Sequence, residues 1–147
     1  MKFAIFLICL TLLLFGCTTS HKPKSDLVTP IDLTFSREEA KKYWSLAKPV
    51  APVYPQSEVE RKITGCSRFK ITISSSGDTV DIQLIESFPT DSFSMPALRA
   101  LEKWKWEATR KNASKQAIIR IVQVDFYMED ALNYEKALAY CSDEPQF

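Results

Sequence analysis

Hydrophobic and polar positions change their spacing several times along the chain, and each change predicts an element. Residues 66–74 alternate, with Ser67, Phe69, Ile71 and Ile73 on one face and Cys66, Arg68, Lys70 and Thr72 on the other, which is the period of a half-buried strand. Ser75-Ser76-Gly77-Asp78 supplies a turn. Val80, Ile82 and Leu84 share one face of a second strand, so the two strands are expected to pair as a β-hairpin. After Pro89 the spacing becomes helical: Ala97, Leu98, Leu101 and Trp104 form one stripe of a helix that Ser94 can cap and whose first turn accommodates Pro96. Trp104 and Trp106, two apart, would face different sides of that helix, the first toward the core and the second packing at the helix exit. Residues 112–115 are polar loop, and residues 117–128 alternate again, with Val122, Val124 and Phe126 opposed to Gln123, Asp125 and Tyr127. The order is hairpin, helix, third strand: an α+β domain, a small antiparallel three-stranded sheet covered by a helix.

The flanks predict N- and C-terminal accessory helices. Over residues 36–48, Ser36 and Glu39 have the spacing of a capping box, and Pro49, Pro52 and Pro55 prevent continuation. Tyr43, Trp44 and Leu46 suit that helix to packing on its own domain. A short helical turn is expected over residues 56–62, ahead of Gly65. Residues 129–147 form a C-terminal helix, over 129–140, that delivers Cys141 and is followed by a fraying tail. Residues 17–35 are rich in Ser, Thr, Lys and Pro and read as a flexible tether. Residues 1–16 carry one lysine and then an apolar run, shorter than the roughly 20 residues that cross a bilayer, and read as a signal peptide. Leu14-Phe15-Gly16-Cys17 resembles the bacterial lipobox, which implies a lipid on Cys17; Thr18 in the sorting position implies the outer membrane.

Composition narrows the function. The 147 residues hold one domain, residues 49–128, and the 19 basic and 18 acidic residues leave no general field to attract nucleic acid. The single histidine, His21, falls in the tether, so neither a His-based triad nor a multi-histidine metal site can be assembled. Of the four cysteines, Cys9 leaves with the signal and Cys17 takes the lipid, so Cys66 and Cys141 remain to pair in an oxidising compartment. The basic residues from Arg99 to Arg120 read as a solvated helix face, and Asp78, Asp81 and Glu86 as hairpin carboxylates without acid–base geometry. Only Gly65 and Gly77 remain after the signal, too few for a phosphate loop. The chain is expected to be no enzyme and to take no cofactor or metal.

With these elements placed, the sequence resembles the C-terminal domain of TonB, the periplasmic end of the energy transducer that serves outer-membrane transporters. The resemblance rests on Val53-Tyr54-Pro55, the Ile63-Thr64-Gly65 strand entry, Phe69-Lys70-Ile71-Thr72-Ile73 with Ser76-Gly77-Asp78, Ser87-Phe88-Pro89, and above all the run from Ala97 to Trp106 followed by Val122, Val124 and Phe126. The chain departs from the family at Ala108, where a proline is usual, and at Asn112-Ala113-Ser114, in place of a Gly-x-Pro loop. The resemblance implies a non-catalytic periplasmic interaction module that binds an extended peptide or protein, such as an outer-membrane transporter, by strand addition. The expected docking line is the third strand as a sheet edge: Ile119, Ile121, Gln123, Asp125 and Tyr127. The alternative is a transducer component that keeps its N-terminal helix and couples an inner-membrane motor to outer-membrane transport.

Overall fold

The computed structural model describes residues 29–142. Its centre is a four-stranded sheet in the order β1 (Ile31–Asp32), β6 (Ile118–Phe126), β3 (Gly65–Ile73), β4 (Thr79–Phe88). The central strand β3 pairs antiparallel with β6 in an unbroken register from Gly65↔Phe126 to Ile73↔Ile118, and β1 runs parallel to β6. The expected hairpin, β3 with β4, turns at Gly77, whose φ of 81° suits glycine. A Cβ there would stand 2.2 Å from the Trp106 carbonyl oxygen, so the turn also needs the missing side chain to admit its neighbour.

The hairpin is less regular than simple alternation predicts. Its register shifts between Arg68 and Phe69 and again between Lys70 and Thr72, and Asp81 takes a positive φ of 48°. The bulges rotate β4, so Val80 and Leu84 are exposed while Ile82 is half-buried, and the three do not share a covered face.

Helix α3 (Ser94–Leu101) covers one side of the sheet, where Phe69, Ile71, Ile73, Phe93, Ala97, Leu101, Val122, Val124 and Phe126 pack together. Ser94 does not cap it: the Ser94 hydroxyl donates to the Asp91 carbonyl, and Phe93 occupies the cap position. The helix stops at Leu101, short of both tryptophans. Trp106 instead lies on β5 (Lys105–Ala108), which pairs antiparallel with β2 (Trp44–Lys48) in a second, two-stranded sheet. Each indole N–H finds an acceptor, Trp44 at Gln116 O, Trp104 at Val50 O and Trp106 at Thr79 Oγ1, so the buried Trp44 and Trp106 and the half-buried Trp104 leave no donor orphaned.

The accessory helix is correspondingly shorter than expected. It is α1 (Arg37–Tyr43), and residues 44–48 extend into β2 because Trp44 is drawn into the core and Lys48 precedes a proline, which disfavours helical geometry. No side-chain capping bond forms at Ser36; Glu39 pairs with Lys42 and Lys111 instead. The expected short turn is α2 (Gln56–Glu60), reached through Tyr54, whose hydroxyl donates to Ile63 O and whose ring stands edge-on to Phe93 and Phe126.

At the C-terminal end, α4 (Tyr134–Ser142) begins later than residue 129, because Asn133 bonds the amide and the carbonyl of Thr64 and holds the preceding turn. Helix α4 lies on the face of the sheet opposite α3, and the Cys66–Cys141 disulfide, with Cα atoms 6.0 Å apart, fixes it there. The first strand is therefore buried on both faces except at Lys70, not half-buried. The expected tether is shortened as well, since Ile31 and Asp32 belong to the sheet. Cys17, the apolar leader and residues 143–147 lie outside the described residues.

Candidate functional site

The third strand, β6, alternates buried even-numbered residues with more accessible odd-numbered ones. Ala117 O and Ile119 O accept from Ile31 N and Leu33 N, so the backbone groups of odd-numbered residues point away from β3. By strand alternation those of Ile121, Gln123 and Asp125 point the same way. At Leu33 the chain turns aside, with Ser36 N donating to Leu33 O, and among the described residues no strand continues along β6. Of the expected docking residues, Ile119 is thus already paired with Asp32, and Tyr127 lies past the strand end with its ring against Tyr134. Ile121, Gln123 and Asp125 remain as an edge with outward-facing backbone.

That edge forms the floor of a cleft of about 500 Å³. Trp44, Leu46 and Trp106 line it from the second sheet and Trp104 from just before β5, Phe35 from the entry to α1, Arg37 and Lys41 from α1 itself, and Cys141 and Ser142 from the end of α4. All three tryptophans of the chain are therefore on its walls. Sequence reasoning placed Trp104 in the core, Trp106 at the helix exit and Trp44 on the accessory helix, and did not connect residues 44–46 with residues 104–106, because antiparallel pairing across some sixty positions leaves no local pattern.

Arg120 is the chemically distinctive member. It sits in phase with Ile118, Val122 and Val124, on the buried side of β6, and is 8% exposed. Its guanidinium lies 5.4 Å from the Trp106 ring centre, and its Nε reaches Ile121 O at 3.5 Å. Among the described residues no carboxylate pairs with it. Burial, with Arg37 nearby, lowers its proton affinity below the ordinary arginine value, and Glu38 partly offsets this. An arginine in the apolar phase of a strand was a signal that the reading of a solvated basic run passed over. That run does not form one face: Lys105 pairs with Asp78, Lys111 with Glu39, and Arg120 is buried. Lys111 and Lys42 together hold Glu39 at about 2.

Behind the edge, polar groups tie β6 to α4. Gln123 Oε1 accepts from Arg68 Nε at 2.7 Å, and its Nε2 donates to Asp125 Oδ1 and to Cys141 O at 2.6 and 2.7 Å. Arg68 also donates to Tyr140 O and pairs with Glu86, which in turn accepts from the Tyr140 hydroxyl. That hydroxyl bond, then Arg68, holds the Glu86 carboxyl below its usual range against the opposing effect of burial. The Tyr140 ring stacks on Phe88 at 4.5 Å. Cys66, Cys141 and Asp125 converge here, with both sulfurs engaged in the disulfide. The arrangement offers backbone pairing, aromatic contact and positive charge to an extended ligand.

A family described as Gram-negative bacterial TonB protein C-terminal matches residues 50–128. Over 56 residues the chain is 39% identical to protein TonB of Pseudomonas aeruginosa, a stretch covering 38% of this chain and 16% of that protein. The chain thus spans a small part of that relative's length. The solution NMR structure of the Pseudomonas aeruginosa TonB C-terminal domain superposes with a TM-score of 0.50 at 29% identity, covering 59% of this chain and 88% of that one. A TonB2 structure from Vibrio anguillarum has 30% identity and a TM-score of 0.43, over 58% of this chain and 84% of that one. The matched span contains the hairpin, α3 and the edge strand β6, and the chain belongs to the TonB C-terminal family.

Proposed function

We propose that this protein is a periplasmic, non-catalytic interaction module, held by a lipid on Cys17 at the inner face of the outer membrane, which binds an extended peptide by adding a strand to β6. The outward-facing backbone of Ile121, Gln123 and Asp125, set in a cleft deep enough to take side chains, is the observation that carries this reading. Strand addition derives affinity from main-chain hydrogen bonds, and the tryptophan wall supplies a contact that tolerates different side chains. Outer-membrane transporters with extended periplasmic segments are the partners that suit the family. Lipidation rests on Leu14-Phe15-Gly16-Cys17.

The test separates backbone from side chain. Gln123→Ala removes the bonds to Arg68 and Cys141 but keeps the outward amide; Gln123→Pro removes both. Titration with synthetic transporter segments, followed by tryptophan fluorescence, should show binding by the alanine variant and at least tenfold weaker binding by the proline variant. Equal binding by two folded variants would exclude strand addition here. For the anchor, Cys17→Ser should move the protein out of the outer-membrane fraction. Wild-type protein retaining residues 1–16 in the inner membrane would favour the transducer alternative.

A further inference from the structure

Arg120 carries a charge that the described residues do not neutralise. Its Nε reaches Ile121 O, but no hydrogen bond or ion pair among the described residues engages its two terminal nitrogens. Every fully enclosed side-chain nitrogen or oxygen among those residues has a hydrogen-bond partner, so these two nitrogens are not enclosed. They open onto the cleft that Arg120 lines. The Trp106 ring offsets part of the desolvation cost of the guanidinium, and Arg37 is near enough to add to that cost by repulsion. Glu38, on α1, is held by Lys41. A carboxylate entering from the cleft would meet a planar fork of donors and relieve the cost. Trp44, Leu46 and Arg37, which also wall the cleft, lie outside residues 50–128, so the pocket is assembled partly from elements beyond the family match.

We propose that the cleft selects an extended peptide carrying a glutamate, whose carboxylate is taken by Arg120 beside Trp106. On the strand-addition reading above, from which this follows, β6 supplies backbone bonds that ignore sequence and Arg120 adds the preference. In a strand added antiparallel to β6, the residues facing Ile121, Gln123 and Asp125 exchange backbone bonds with them. The residues between put their side chains on the face shared by Arg120, Val122 and Val124. The one opposite Val122 is diagonal to Arg120, with Cβ atoms about 7 Å apart, a gap that a glutamate and an arginine side chain close together. The other face gives an acid no such partner, because Asp125 lies on it and Arg68 already pairs with Glu86.

The experiment titrates the protein with synthetic peptides of alternating threonine and valine, blocked at both ends, with one central glutamate or a glutamine in its place. Tryptophan fluorescence gives the affinities, and the Arg120 Nε–H resonance reports contact at the guanidinium. The glutamate peptide should bind at least fivefold more tightly than the glutamine peptide and should be the one that shifts the Arg120 resonance. Methionine suits the apolar phase of β6, so Arg120→Met should bind both peptides equally, and Arg120→Lys should recover part of the preference. The resonance is read in the unaltered protein and decides the matter even where a variant fails to fold. Equal binding of the two peptides, or a preference that persists in folded Arg120→Met, would overturn recognition of the acid and leave strand addition standing. A glutamine peptide that matches the glutamate peptide once its terminal carboxylate is left free would overturn recognition of the side chain. A preference for glutamate that survives Gln123→Pro would uphold the carboxylate site and defeat the strand-addition reading, and no binding of either peptide would overturn both.

Discussion

Glu86 is the residue through which acidity reaches the C-terminal helix. Its carboxyl accepts from Tyr140 and pairs with Arg68, and both hold its pKa below the ordinary 4.5. A carboxyl with a lowered folded-state pKa adds stability that is complete above its unfolded value and is lost as pH falls through the folded one. The docking of α4 is therefore expected to be insensitive to pH above about 5 and to weaken as the medium is acidified further. Melting curves of wild type and Glu86→Gln should differ by a constant amount from pH 5.5 to 8 and converge toward pH 3; a gap that persists at pH 3 would show that the charge of Glu86 is not its source. Arg68 is the shared partner in this cluster, since it also holds the Gln123 side chain and lies 5.4 Å from the centre of the Tyr140 ring. A single arginine thus links β3, β4, β6 and α4.

Among the elements, α4 is the one whose place depends on a covalent bond. It buries Ala137 and rests on the sheet through Tyr140 and Cys141, a small apolar contact for a nine-residue helix. In the chain-entropy account, closing a loop of 75 positions is worth about 4–5 kcal/mol. Replacing both cysteines with alanine should lower the denaturant midpoint accordingly and speed exchange throughout α4, with β3 and β6 still paired; unchanged stability would mean that the bond constrains nothing. Hairpin, helix and third strand were legible in the sequence because each carries its own period over eight residues or more. Strand β5 was not, since Lys105-Trp106-Glu107-Ala108 is too short to show a period and its partner β2 lies far away in sequence. Strand β1 is only two residues long, and Ile31 and Asp32 are both exposed, so nothing in their pattern marks a strand. The edge itself was readable at Gln123 and Asp125, whereas its aromatic walls and Arg120 depended on those unseen pairings.

At the scale of the whole molecule, the Cys66–Cys141 bond makes a ring that encloses β3, β4, α3, β5 and β6, while β1, α1 and β2 pack against it from outside. This arrangement has a mechanical consequence. A pull applied between the N-terminal side and a partner seated as proposed on β6 would meet β1 first, where the Ile31 and Leu33 amides donate to Ala117 O and Ile119 O. Those few bonds, loaded in shear, yield while the ring holds its length. The ring conceals 75 positions, or about 250 Å of contour at full extension. In an optical trap, with handles at residue 29 and beyond Ser142, reductant should lengthen the fully extended chain by about that amount, and equal lengths with and without reductant would mean that the ring is open. With the ring closed, force applied on the N-terminal side can detach the strap β1 and straighten the segment before β3, but it cannot draw out β6, the strand on which the proposed partner would sit.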